Sequence, residues 1–83
     1  MDSPDKNIHF PQYRRYKNGL SYFKILSLTE FEEIQVVGEK RIVNKVVATQ
    51  YPEKVFINDL LFNYEDFAEK IGEMEYEKII VIK

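Results

Sequence analysis

Five side chains close to Asn18-Gly19 have the types that bind other molecules through charge and ring stacking. They are Tyr13, Arg15, Lys17, Tyr22 and Lys24. If two strands meet at Asn18-Gly19, all five project from one sheet face, which we name the basic-aromatic face. Aromatic rings on a sheet stack nucleobases while neighbouring cations contact phosphates, and the same surface suits an acidic protein. The plainer interpretation, favoured by the net charge of −2, is a solvated face stabilised by cross-strand pairs of cations and rings.

The sequence predicts no metal site and no cofactor. His9 is the only histidine and the chain has no cysteine, so a transition metal finds almost no ligands. Four acidic residues recur at helical spacing: Glu65, Asp66, Glu69 and Glu73. A helix face does not surround a hard cation with six oxygen ligands, and we interpret these carboxylates as a solvated face. The glycines are isolated from one another, which excludes a glycine-rich phosphate loop.

Catalytic residues are not predicted either. The serines lack the turn and the glycine-rich surroundings of an activated nucleophile. His9 has no positioned nucleophile to activate and is expected to be exposed at the edge of the domain. Asn58, Asp59 and Tyr64 are the polar candidates for a small-ligand pocket between a helix and the sheet, but their spacing supports no particular chemistry. We therefore expect a protein that is not an enzyme.

Length and composition bound the class of protein. A chain of 83 residues with 45% hydrophobic and 31% charged residues is expected to form one small domain, not a disordered chain. We expect residues 1–8 to be a flexible N-terminal segment and residues 9–83 to be a single domain. No apolar run approaches the length of a membrane span, so a cytoplasmic protein without a membrane partner is expected.

The Asn18-Gly19 pair is the clearest local signal. Asn-Gly favours a type I′ turn, and strands on either side would then pair residues whose numbers sum to 37. The face with Tyr16, Phe23 and Ile25 is the expected core side. Arg14 falls on that side as well, so we expect it at an edge or with its charged end in water.

The middle of the chain predicts a short helix and two strands. Ser27 to Glu30 has the pattern of a capping box, which predicts one or two helical turns ending by Glu33. Segments 34–37 and 41–49 are expected strands because they are rich in β-branched residues. The polar pair Asn44-Lys45 interrupts the alternation of the second segment and indicates a possible bulge.

The last third of the chain is ambiguous. A continuous helix would leave Phe62 among acidic residues, whereas a helix capped by Asn63 uses that ring as a staple. We therefore predict a strand near 54–61 and a helix over 64–71. The apolar run in 76–82 predicts a final strand that is buried on both faces.

These elements predict an α+β fold with an antiparallel sheet, curled or forming a half-open barrel. The sheet would have about four to six strands and one principal helix, in the order β-β-(short α)-β-β-(β)-α-β. Twelve aromatic residues, six Tyr and six Phe, exceed what so small a core encloses. We therefore expect a non-enzymatic interaction module that associates with itself, or with another protein, through aromatic sheet surface or a strand edge. The alternatives are a nucleic-acid-binding domain using the 12–26 hairpin and a small-ligand binder.

Overall fold

The structure is a computed structural model that describes residues 8–81. The predicted flexible segment lies outside the described residues except for its last residue, and so do residues 82 and 83. Five strands and two helices follow one another as β1 (Gln12–Tyr16), β2 (Ser21–Ser27), β3 (Glu30–Val37), β4 (Lys40–Val47), α1 (Tyr51–Phe62), β5 (Ala68–Lys70) and α2 (Glu73–Val81).

The strands form one antiparallel sheet in the order β4-β3-β2-β1-β5. This confirms the α+β class and the antiparallel sheet, and the sheet is open, not a barrel. The strand β4 lies at one edge, and the three-residue strand β5 lies at the other. The expectation of one principal helix is wrong, because α1 covers one face of the sheet and α2 covers the other.

The first hairpin has the predicted register. Tyr13 pairs with Lys24 and Arg15 pairs with Tyr22, so paired numbers sum to 37. The turn is not type I′, which needs positive φ at both central residues, because only Gly19 has a positive φ, of +75°. The Asn18 side-chain oxygen instead accepts a hydrogen bond from the backbone N–H of Leu20 at 2.8 Å.

The helical turns predicted at Ser27 to Glu33 are wrong, because this segment is the second hairpin. The Ser27 hydroxyl does accept a backbone N–H, but it is that of Thr29, two residues on, at 3.1 Å. Ser27 then pairs with Glu30 across the turn, and a register shift lies between Ile25 and Ser27. The β3–β4 ladder pairs continuously from Glu30 to Val37, so Asn44-Lys45 forms no bulge. The irregularity of the sheet lies between Ile25 and Ser27 instead.

The predicted strand and helix over 54–71 are reversed. Helix α1 begins beside Pro52, and Glu53 accepts a hydrogen bond from the backbone N–H of Thr49 at 3.1 Å. Proline is favoured in the first turn of a helix, where its missing N–H has no partner to lose. The helix buries Ile57 and Leu60 against the sheet. The predicted helix over 64–71 is instead a turn followed by β5, which pairs with β1.

The final strand predicted over 76–82 is also wrong, because Glu73–Val81 is helix α2 and the last predicted strand residue lies outside the described part. Acidic Glu73 and Glu75 stand in its first turn and Lys78 in its last, as the helix dipole favours. The ring of Tyr76 is fully buried beneath this helix. Ile79 is half-buried and Ile80 is 41% exposed, so this segment is not buried on both faces.

Both faces of the first hairpin are buried, which the sequence did not predict. Phe23, Ile25 and Phe31 pack under α1 on what we call the α1 face. On the opposite side, the α2 face, the buried side chains form a second cluster: Tyr13, Tyr22, Ile34 and Tyr76.

Arg14 lies on the α1 face and is only 2% exposed, so it is neither at an edge nor in water. Its Nε donates to the carbonyl of Leu60 at 2.8 Å, and its Nη2 is 3.5 Å from that of Leu61. The guanidinium carbon also lies 4.3 Å from the ring centroid of Tyr64. The last carbonyls of a helix have no partner within the helix and carry partial negative charge. Arg14 thus caps the C-terminal end of α1.

Candidate functional site

The two rings of the predicted basic-aromatic face are covered. Tyr13 and Tyr22 are buried beneath α2, and the ring centroids of Tyr13 and Tyr76 are 5.3 Å apart. The Tyr76 hydroxyl donates a hydrogen bond to a carboxylate oxygen of Glu32 at 2.9 Å. Burial, and then the bond to Glu32, raise the pKa of Tyr76, so its hydroxyl keeps its proton at neutral pH. Neither predicted ring presents a free face to a nucleobase.

The three cations of the basic-aromatic face do not act together. Arg15 forms ion pairs with Glu69 on β5 and with Glu75 on α2, the latter at 3.0 Å. Lys24 is half-buried within the sheet, whereas Lys17 is exposed in the hairpin turn. The charge expected to attract a partner is partly neutralised by carboxylates of neighbouring elements.

The other residues considered from the sequence are dispersed. Glu65 and Asp66 lie in the turn before β5, so the predicted acidic helix face does not form. His9 is exposed, and its backbone carbonyl accepts a hydrogen bond from the Gln12 side chain at 2.7 Å. Asn58 is exposed on the outer side of α1, while Tyr64 stacks on Arg14.

The edge strand β4 is the most exposed apolar feature of the sheet. Its exposed aliphatic side chains are Ile42, Val43 and Val47, and Val47 is 58% exposed. Because Val46 lies opposite Phe31 and Val43 opposite Ile34, the strand presents aliphatic residues on both faces. In the sequence, residues 40–47 form a run without acidic residues, which predicts a strand. The run does not by itself indicate that this strand lies at the edge of the sheet.

The backbone of β4 has a row of groups directed away from the sheet. The N–H of Ala48 donates to the carbonyl of Thr29 at 2.7 Å, so it faces β3. The direction of the backbone N–H and C=O groups alternates along an extended strand. The odd-numbered residues from Arg41 to Val47 therefore direct both groups away from β3. Long edges of this kind are where other strands pair, and short edges such as β5 are protected.

An open cleft lies between the first hairpin turn and α1. It has a volume of about 460 Å³ and is lined by Tyr16, Asn18, Phe56, Asp59 and Phe67. The rings of Tyr16 and Phe67 meet edge to face, with centroids 5.9 Å apart. Asp59, singled out from the sequence, supplies the acidic group of this lining, whereas the contribution of the three rings was not predicted.

Comparison with known proteins finds no matching family model, no significantly similar curated protein and no significantly similar solved structure. Within residues 8–81 no helix is long and apolar enough to cross a membrane. The same residues contain no cluster of three or more histidine, cysteine, aspartate or glutamate side chains placed to hold a metal ion.

Proposed function

We propose that this chain is a non-enzymatic interaction module that associates with a second copy of itself through the edge of β4. The observation that carries the proposal is the combination of an eight-residue edge strand, outward backbone groups and exposed aliphatic side chains. Pairing of two edges satisfies the backbone groups and removes apolar surface from water. A chain this small has a limited core of its own and gains stability by such association.

The residue pattern of β4 supports a second copy as the occupant of the edge. On the α2 face the strand alternates basic and aliphatic residues in the order Arg41, Val43, Lys45 and Val47. Two copies that run antiparallel can therefore place each cation opposite a valine. The aromatic sheet surface that the sequence offered as the other interface is buried, so the strand edge is the interface we propose.

The test is a proline at an outward-facing position of the edge. We expect Val43→Pro to make the protein monomeric, because proline removes an N–H that the partner needs and that β3 does not use. Val43→Thr, which keeps the N–H and the branched side chain, is the matched control and should remain dimeric. Sedimentation velocity over micromolar to hundred-micromolar concentrations measures both, and urea unfolding checks that each variant is folded. A monomeric parent chain over that whole range would contradict the proposal.

A second candidate function, binding of a small amine with an apolar body, is favoured by the cleft. Three aromatic side chains and the carboxylate of Asp59 attract an organic cation, and the described lining residues include no lysine or arginine. Nucleic acid is not proposed, since Tyr13 and Tyr22 are covered.

For the cleft, hexylamine is expected to shift the amide resonances around Phe56 and Phe67, while hexanol shifts them at higher concentration only. Asp59→Asn should weaken hexylamine binding about fivefold, which corresponds to an exposed charge pair of about 1 kcal/mol. Asp66→Asn removes an exposed carboxylate outside the cleft and should leave binding unchanged. Equal shifts by amine and alcohol would argue against a cation site.

A further inference from the structure

The pairing rules of a sheet restrict how two β4 edges can join. Hydrogen-bonded pairs across the new junction connect outward-facing residues of both copies, which are odd-numbered, so paired numbers have an even sum. A twofold axis perpendicular to the sheet makes the junction antiparallel and self-complementary. Among these arrangements, two engage seven of the eight residues of Lys40–Val47: residues 40–46 with numbers summing to 86, and residues 41–47 with numbers summing to 88.

Charge discriminates between these two registers. With the sum of 86, Arg41 lies directly opposite Lys45 of the second copy, and symmetry repeats this contact. Like charges directly opposite one another destabilise a sheet. With the sum of 88, Arg41 lies opposite Val47 and Lys45 lies opposite Val43, so no two cations face one another. A parallel in-register junction would stack every cation on its own copy and is disfavoured for the same reason.

Side-chain packing favours the same register. With the sum of 88, Ile42 lies opposite Val46 of the second copy in a non-hydrogen-bonded pair, where side chains approach most closely. Val46 already packs against the core beneath α1, so this contact extends the core across the junction. Asn44 lies opposite itself, which lets two amides hydrogen-bond on the axis.

We propose that two copies join through antiparallel β4 strands in the register that places Asn44 on the twofold axis. This inference rests on the proposed self-association. Lysine and arginine on an edge strand usually oppose pairing. Here Arg41 and Lys45 instead select one register. In the register with numbers summing to 88 each lies opposite a valine, whereas in the register with numbers summing to 86 they lie opposite each other.

Single cysteines test the register, since the chain contains no cysteine of its own. Asn44→Cys places two sulfurs across a non-hydrogen-bonded pair with Cα atoms about 4.5 Å apart, within disulfide range. Val43→Cys is the matched control, because in this register the two Val43 positions are diagonal neighbours about 7–8 Å apart. Under mild oxidation at equal concentration we expect the Asn44→Cys dimer to form at least about tenfold faster than the Val43→Cys dimer.

The outcomes separate this inference from the proposed function. Faster cross-linking of Val43→Cys, with a dimeric parent chain in sedimentation, would overturn the register and leave the edge as the interface. A monomeric parent chain would overturn both. Lys45→Gln gives a second readout that does not need a disulfide, and it places no carboxylate opposite Glu32, the β3 partner of Lys45. It should change the dimer dissociation constant by less than about threefold in the proposed register. It should strengthen the dimer if the register with numbers summing to 86 were correct, because it removes the repulsion between Arg41 and Lys45.

Discussion

Replacing Arg14 by alanine is expected to destabilise the domain by about 3–5 kcal/mol, because it removes a buried side chain and leaves buried carbonyls without donors. Arg14 donates to the carbonyl of Tyr13 as well as to that of Leu60, both at 2.8 Å. Helix α1 has no basic residue in its own last turn, so the guanidinium of Arg14 supplies a positive charge that the helix itself lacks at its C-terminal end. A loss of this size is comparable with the whole stability of a small domain.

Urea unfolding at a fixed protein concentration measures this loss, and two further variants apportion it. Arg14→Met keeps most of the apolar stem and removes the donors, so about 2–3 kcal/mol of the loss should remain. Lys17→Ala removes an exposed cation from the nearby turn and should change the free energy of unfolding by less than about 0.5 kcal/mol. If Arg14→Met were as stable as the parent chain, the carbonyl contacts of the guanidinium would contribute nothing.

What the sequence predicted correctly is local. The register of the first hairpin follows from Asn18-Gly19, because a short turn fixes the pairing of the strands that it joins. The two β-branched segments after it formed strands for the same kind of reason: their own residues favour extended backbone.

The errors arise where distant residues decide between two local structures. The Ser27 hydroxyl suits a helix cap or a turn equally well, and it is the pairing of β3 with β2 and β4 that favours the turn. The C-terminal end of α1 also depends on a distant residue. The end of that helix is completed by Arg14, 46 residues from Leu60 in the chain. No window of neighbouring residues contains such a contact.

The candidate site was misjudged because a charged sheet face was interpreted as solvated. Arg15 and Lys24 alternate with tyrosines, which is the pattern of an exposed face. The acidic residues that accompany α2 and β5 offset these cations and allow a helix to cover the tyrosines, as the Arg15–Glu75 pair illustrates. The exposed apolar side chains are instead on β4, whose position at the edge depends on the sheet order and not on its own composition.

Tyr76→Ala is expected to cost about 3–5 kcal/mol and to release α2 from the sheet, because this ring is the fully buried anchor of the helix. Release exposes Tyr13 and Tyr22, and amide hydrogen exchange should accelerate in α2 before it does so in α1. Met74→Ala alters an exposed residue of the same helix and serves as the control. Unchanged exchange in α2 of Tyr76→Ala would mean that other contacts hold the helix in place.

Tyr76→Phe separates the hydroxyl from the ring and predicts a pH dependence. Burial, followed by the bond to Glu32, raises the pKa of Tyr76 in the folded state, whereas the unfolded chain titrates near its ordinary value of about 10. The folded state then holds the proton more tightly than the unfolded chain does. The stabilisation that the protonated Tyr76 hydroxyl gives to the fold is therefore fully present below pH about 10 and is lost as the pH rises above it.

Tyr76→Phe should be about 1–2 kcal/mol less stable than the parent chain at pH 8, because it has lost a hydrogen bond to a carboxylate. Between pH 8 and pH 11 it should lose less stability than the parent chain, with a residual loss from Tyr13 and Tyr16, whose pKa values burial also raises. Urea unfolding across that range measures the slope, and equal slopes for parent and variant would show that the Tyr76 proton is not held by the fold.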